Sequence, residues 1–109
     1  MTQEIFGSKW QDDVVALACE NADLDVATSG TETLIVRAVF GGAIASQRKD
    51  NSNFTFAVVD APASTATGTT VGANTGVVTA GTQAGTAVIS ITLTNYPNVP
   101  PAYATVTVG

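Results

Sequence analysis

The 109-residue chain contains no histidine, the commonest general base, nucleophile activator and transition-metal ligand. Chemistry would then have to come from paired carboxylates or a reactive thiol. Cysteine occurs once, at Cys19, so no intramolecular disulfide can form and the framework of a small secreted scaffold is absent. No base flanks Cys19 and only Lys9 stands near it in sequence, so it reads as a small apolar core residue rather than a nucleophile. Basic residues number four against nine acidic ones, for a net charge of −5, which argues against nucleic acid and anionic membrane surfaces as partners. No run approaches the roughly 20 apolar residues of a membrane span. The opening segment MTQEIFGSKWQDD lacks the basic region and apolar run of a signal peptide. It reads as the start of a soluble cytoplasmic product, unless the chain is a piece of a longer secreted protein.

The residues that are abundant describe a sheet protein. Hydrophobic residues make up 45% of the chain and charged ones only 12%; Ala and Val supply most of the former, which leaves Thr, Ser, Asn and Gly to cover the surface. The length suits one domain with one core. From Ala87 to Leu93 the pattern alternates, with Ala87, Ile89, Ile91 and Leu93 on one face and Ser90, Thr92 and Thr94 on the other, only Val88 being out of step. Gly76, Gly81 and Gly85 precede this strand, where the chain must turn or approach another backbone closely. Further strands are predicted at Leu24–Val26, at Thr33–Phe40 with Leu34, Val36, Ala38 and Phe40 on one face, at Phe54–Val58, at Val77–Thr79 and at Ala104–Val108. The face of Ile35, Arg37 and Val39 is less polar than water alone requires, so it is expected to be covered by the N-terminal segment or by a neighbouring molecule. The small-residue loop Ala61–Thr70 is expected to cross between sheets. The expected fold is all-β: an immunoglobulin-like sandwich of about seven strands, residues 22–109, preceded by an arm or short helix, residues 1–21. Two readings stay open for the segment Ser8–Asn21: a helix capped by Ser8 and Gln11, with Trp10, Val14, Leu17 and Ala18 at helical spacing, or a strand through Val14–Cys19.

Sites of chemistry are sparse. Asp12 and Asp13 are adjacent and so diverge, and Glu20, Asp23 and Asp25 lack the sharp turn of a Ca²⁺ loop, so they read as a solvated acidic edge. The stretch GANTGVVTAG has no GK[ST] ending and opens a strand, unlike a phosphate-cradling loop. Asn53-Phe54-Thr55 fits the glycosylation sequon. No motif calls for a cofactor or a metal, and the chain reads as non-enzymatic. Ile5, Phe6 and Trp10 are candidate partner-binding residues, because an aromatic anchor in an N-terminal stretch gives a small domain a large interface; the alternative is that they fold back over the sandwich. Tyr96 and Tyr103 are candidates for a sugar or protein site, or else ordinary loop packing.

The residues Val71, Gly76, Val78, Thr79, Gly85, Ala87 and Ile89 resemble the motif of the group 2 bacterial immunoglobulin-like domain family, with Gly72 where that family usually has Asp. The resemblance covers about Asp23 to Gly109. It implies the sandwich fold, no catalytic residues, and a setting on bacterial surface proteins or on the capsid and tail proteins of tailed bacteriophages. The expected function is therefore a structural protein of a virion, a capsid decoration (cement) or tail protein, fixed through residues 1–21 and the face of Ile35 and Val39 to capsid or tail subunits or to itself. The alternative is an extracellular spacer or adhesion module of a bacterial cell surface, binding glycans through Tyr96 and Tyr103. Removal of residues 1–21 is expected to abolish attachment while leaving the sandwich folded.

Overall fold

In the computed structural model, which describes residues 10–60 and 64–109, a 3₁₀ turn at Trp10–Asp13 leads into β1 (Val14–Cys19) and β2 (Asp23–Val26). There follow β3 (Thr31–Thr33), β4 (Val36–Phe40), β5 (Gln47–Arg48), a second 3₁₀ turn at Asn51–Asn53, and β6 (Phe54–Val58). The chain continues through β7 (Thr70–Val71), β8 (Val77–Thr79), β9 (Gly85–Leu93) and β10 (Ala102–Val108). One layer has the order β2-β10-β9-β6, with β2 parallel to β10 and the other pairs antiparallel. The second layer consists of β1-β4-β5 and β3-β8-β7. Only Leu34 and Ile35 separate β3 from β4. Taken as one interrupted strand, they give the order β1, β3/β4, β8, β7 facing β6, β9, β10, which is the immunoglobulin-like arrangement with β2 added beside β10.

The alternating patterns fill the space between the layers. Leu34, Val36, Ala38 and Phe40 are buried from one side, and Phe54, Phe56, Ala87, Ile89, Ile91, Leu93, Ala104, Val106 and Val108 from the other. Gly76 carries φ +68°, and a side chain there would lie 2.7 Å from Asn51 Nδ2 and 2.9 Å from Phe56 Cζ; only glycine satisfies both constraints. The connection after β6 crosses from the β9 sheet to β7 in the other layer, as its small-residue composition led us to expect. Described residues on either side of residues 61–63 lie against β9, Val59 N–H donating to Val88 O and Thr65 N–H to Thr86 O; residues 61–63 themselves lie outside the described residues.

The interruption at Leu34–Ile35 leaves main-chain groups that two asparagines satisfy. Asn21 acts like a strand residue, its Nδ2 donating to Thr33 O at 2.9 Å while Ile35 N–H donates to its Oδ1 at 2.8 Å. Asn51 Nδ2 donates both to Leu34 O at 2.9 Å and to Thr75 O at 2.8 Å. The remaining groups go to the backbone, through Leu34 N–H to Gly76 O and Glu20 N–H to Ile35 O. A break in a central strand would otherwise strand these donors and acceptors without partners.

Of the two readings for residues 8–21, the strand is the one that forms at Val14–Cys19, so the helix is corrected there. The helical spacing has a local cause. A bulge between Val14 and Ala16 inserts one residue into the β1–β4 ladder, which stretches the step between inward positions from two to three. Val14 and Leu17 both face the core side, opposite Phe40 and Ala38, while the intervening Val15 is pushed outward. β1 is thus a strand of the sandwich rather than part of an arm, and removing residues 1–21 would strip the β4 edge instead of leaving the fold intact. Ile5, Phe6 and Ser8 lie outside the described residues.

Candidate interaction surfaces

The pleat that buries Val36, Ala38 and Phe40 turns the alternate residues of the same layer outward. The register places Ala18 opposite Arg37 and Ala16 opposite Val39, and Thr33 opposite Val77. With the bulge residue Val15 and with Ile35 they make an outer face that is largely apolar: Val15 is 55% exposed, Ile35 37% and Val77 36%, while Val39 is half-buried. The partner-binding candidates Ile35 and Val39 therefore share one face. Val15 and Val77 were not singled out from the sequence, although a signal existed. In Val14-Val15 and Val77-Val78 two adjacent valines cannot both point inward on a strand, and Val14 and Val78 are the buried members.

Charge crosses this face in one place. Glu20, just past β1, accepts from Arg37 Nη1 on β4 at 2.9 Å and from both Arg48 Nε and Nη2 on β5 at 2.6 Å. Arg37 also donates to the Ser46 hydroxyl and carbonyl, at 3.0 and 2.7 Å. The two guanidinium groups, Arg48 first, hold the Glu20 carboxyl well below its ordinary value, at about 2. The clasp ties three strands together and pairs two of the four basic side chains with one carboxylate, leaving a single net positive charge in the group.

Trp10 does not stand free. Its ring meets Phe40 edge-on with centroids 6.5 Å apart, and Lys49 Nζ sits 4.6 Å above it, a cation–π contact. Half-buried against the core, it closes the open end of the β4 row, which is the fold-back alternative for this residue.

The outer face of the other layer is different in kind. Thr55, Ser90, Thr92, Tyr103, Thr105 and Thr107 point outward, with Asp23 and Asp25 along the β2 edge and only Ala57 and Val88 interrupting. Tyr103 is 56% exposed and sits opposite Ser90. Tyr96 lies apart from it, in the connection between β9 and β10, where its hydroxyl donates to Asp12 Oδ1 at 2.9 Å. That bond raises the Tyr96 phenol above its ordinary value. Shallow grooves flank the ring. One, of about 530 Å³, is lined by Thr55, Thr92, Thr94 and Val99, and the other, of about 510 Å³, by Gln11, Asp12, Val15 and Asn98. The structure thus gives Tyr96 a bridging role between the chain start and the β9–β10 connection, and leaves Tyr103 as the exposed ring.

No family model matches the chain, and no curated protein matches it.

The remaining candidates take up structural positions. Cys19 points to the core side opposite Val36, its Sγ 3.4 Å from Asn21 Oδ1, and burial pushes its thiol up, away from thiolate chemistry. Among the described residues no group of three or more acidic or thiol side chains converges. Asn53 of the sequon uses its amide to donate to Asp50 O at 2.9 Å, which engages the nitrogen that a glycan would need.

Proposed function

We propose that this chain is a non-enzymatic structural protein of a bacteriophage virion, a capsid decoration or tail protein that attaches through the outer face of the β1–β4 layer. The observation that carries this reading is the apolar surface of Val15, Ile35, Val39 and Val77. Exposed side chains of this kind, gathered on one face of a small domain, mark a protein-binding surface. The family resemblance supports the setting, since such domains occur on phage capsid and tail proteins. The Glu20 clasp supports the mechanism: it holds the three strands of the face rigid before docking, so little ordering cost is incurred on binding.

The test is immunogold labelling of phage particles and cells from the source culture, with an antibody against the chain. Regular label on capsids or tails is expected. Ile35→Asp with Val39→Asp should lose attachment to particles depleted of the protein while keeping the folded far-ultraviolet spectrum. Label confined to the cell wall would replace this reading by the spacer or adhesion module, which the exposed Tyr103 and the Thr-lined groove beside Tyr96 favour. Label on neither would sink both.

A further inference from the structure

Among the described residues, every sheet edge except one is short, charged or partly occupied. β5 and β7 have two residues each, and β2 carries Asp23 and Asp25. On β6 the outward main-chain groups are partly taken, Phe56 N–H donating to Ala73 O at 2.8 Å and Phe54 O accepting from Asn74 Nδ2 at 3.1 Å. β1 is the exception: six residues, VVALAC, without charge or proline, at the edge of its sheet with β4 as its neighbour. An apolar edge of this length is a template for strand addition unless something blocks it.

The register says which groups are available. Glu20 N–H donates to Ile35 O at 2.8 Å, so by antiparallel alternation Ala18 and Ala16 bond to β4, and Leu17 and Cys19 turn their N–H and C=O away from it. Among the described residues, Leu17 and Cys19 make no main-chain bond beyond the β1–β4 ladder. We infer that β1 is a homodimer edge, occupied by β1 of a second copy running antiparallel about a two-fold axis at Ala18.

That axis follows from the alternation. Leu17 of one copy then faces Cys19 of the other in a hydrogen-bonded pair, and the same pair repeats on the far side of the axis, so all four available groups of each strand are used. Ala18 faces Ala18 of the second copy in the close, non-hydrogen-bonded position, where a methyl group fits without displacing either strand. The bulge at Val15 lies outside this stretch, so the regular part of β1 forms the contact. Residues further out are spared like-charge contact at the axis, because the nearest charged group on this face, Arg37, is held by Glu20 within its own copy. The apolar outer faces of the two copies become continuous across the junction. The inference rests on the strand edge and not on what that face binds.

The test combines mass and cross-linking on the full chain. Sedimentation from micromolar to millimolar concentration should show a monomer–dimer equilibrium that tightens with added salt, because each copy carries −5 and screening removes their repulsion. Ala18→Glu sets two carboxylates face to face at the axis, so it should be monomeric, with a thermal melt equal to that of the wild type at concentrations where both are monomeric. In a Cys19→Ala background, Ala18→Cys puts Cα atoms about 4.5 Å apart, within disulfide reach. Oxidised glutathione should then accept two electrons and two protons from the paired thiols and yield a covalent dimer. Thr105→Cys in the same background should not cross-link. A wild-type chain that stays monomeric at every concentration and salt, or a dimer that Ala18→Glu leaves intact and Ala18→Cys fails to lock, would overturn the inference.

Discussion

The two outer faces of the sandwich are built over one core by the same pleat, and they differ in everything else. The β9–β10 face is a field of Thr and Ser bordered by Asp23 and Asp25, whereas the β1–β4 face is alanine, valine and isoleucine crossed by one tight group of charges. A polar face needs nothing beyond water. An apolar face of exposed Val15, Ile35 and Val77 is stable only as a tolerated loss or as half of an interface. The layers also differ in continuity: β9 runs unbroken for nine residues, and its opposite number is interrupted at Leu34–Ile35 and held by side-chain amides. Both layers take side-chain bonds from elsewhere in the chain, but only the layer with the apolar face needs them to bridge a break in its central strand.

The strongest way to break this contrast is to remove the core that both faces share. Leu34→Ala and Ile91→Ala, one from each layer and each fully buried, should each cost about 2–5 kcal/mol in chemical denaturation. A much smaller loss for one of them would mean that its layer packs loosely and that the faces do not stand on a common core. Next comes the interruption itself. Asn51→Ala deprives Leu34 O and Thr75 O of their donor and should cost about 1–3 kcal/mol, whereas β9 itself is unbroken and has no interruption to injure.

Acid sharpens the contrast by acting on the charged group of one face. The Glu20 carboxyl is lowered on folding from 4.5 to about 2, so the folded state holds the ionised form more tightly than the unfolded chain does. The stability it contributes is present above pH 4.5 and is lost as pH falls toward 2. Glu20→Gln should flatten the acid limb of a pH–melting curve in that window, and an unchanged limb would mean that the clasp is not formed in solution. The smallest effects on stability belong to the surfaces themselves. Val39→Lys and Thr105→Lys should each stay within about 0.5 kcal/mol, yet only Val39→Lys should reduce fluorescence of a dye that binds exposed apolar surface.

Much of the architecture was legible because half-buried strands announce themselves. Ala87–Leu93, Phe54–Val58 and Ala104–Val108 alternate in sequence and in burial alike, since each has a core on one side and water on the other. The face of Ile35 and Val39 was legible for the same reason. What escaped the sequence depends on contacts between distant positions or on a single inserted residue. The bulge in β1 disguised a strand as a helix by changing one spacing. Asn21 and Asn51 reach main-chain groups up to 24 residues away, and Tyr96 reaches Asp12 across 84; nothing local distinguishes these side chains from other polar loop residues. The Glu20–Arg48 pair spans 28 residues and forms only because β1, β4 and β5 lie side by side.

The parallel pairing of β2 with β10 has a mechanical consequence. Thr105 through Val108 lie beside Asp23 through Val26, with β1, itself paired to β4, preceding β2 in the chain. Once β1 has been drawn off β4, a pull applied through Asp23 and Val108 drags β2 and β10 past one another along their length. The ladder is loaded in shear, so its bonds share the force and must yield together, where a hairpin pulled at its open end would unzip one bond at a time. Joined in series with other units, the domain would, after that first step, carry tension with little further extension until that short ladder gave way.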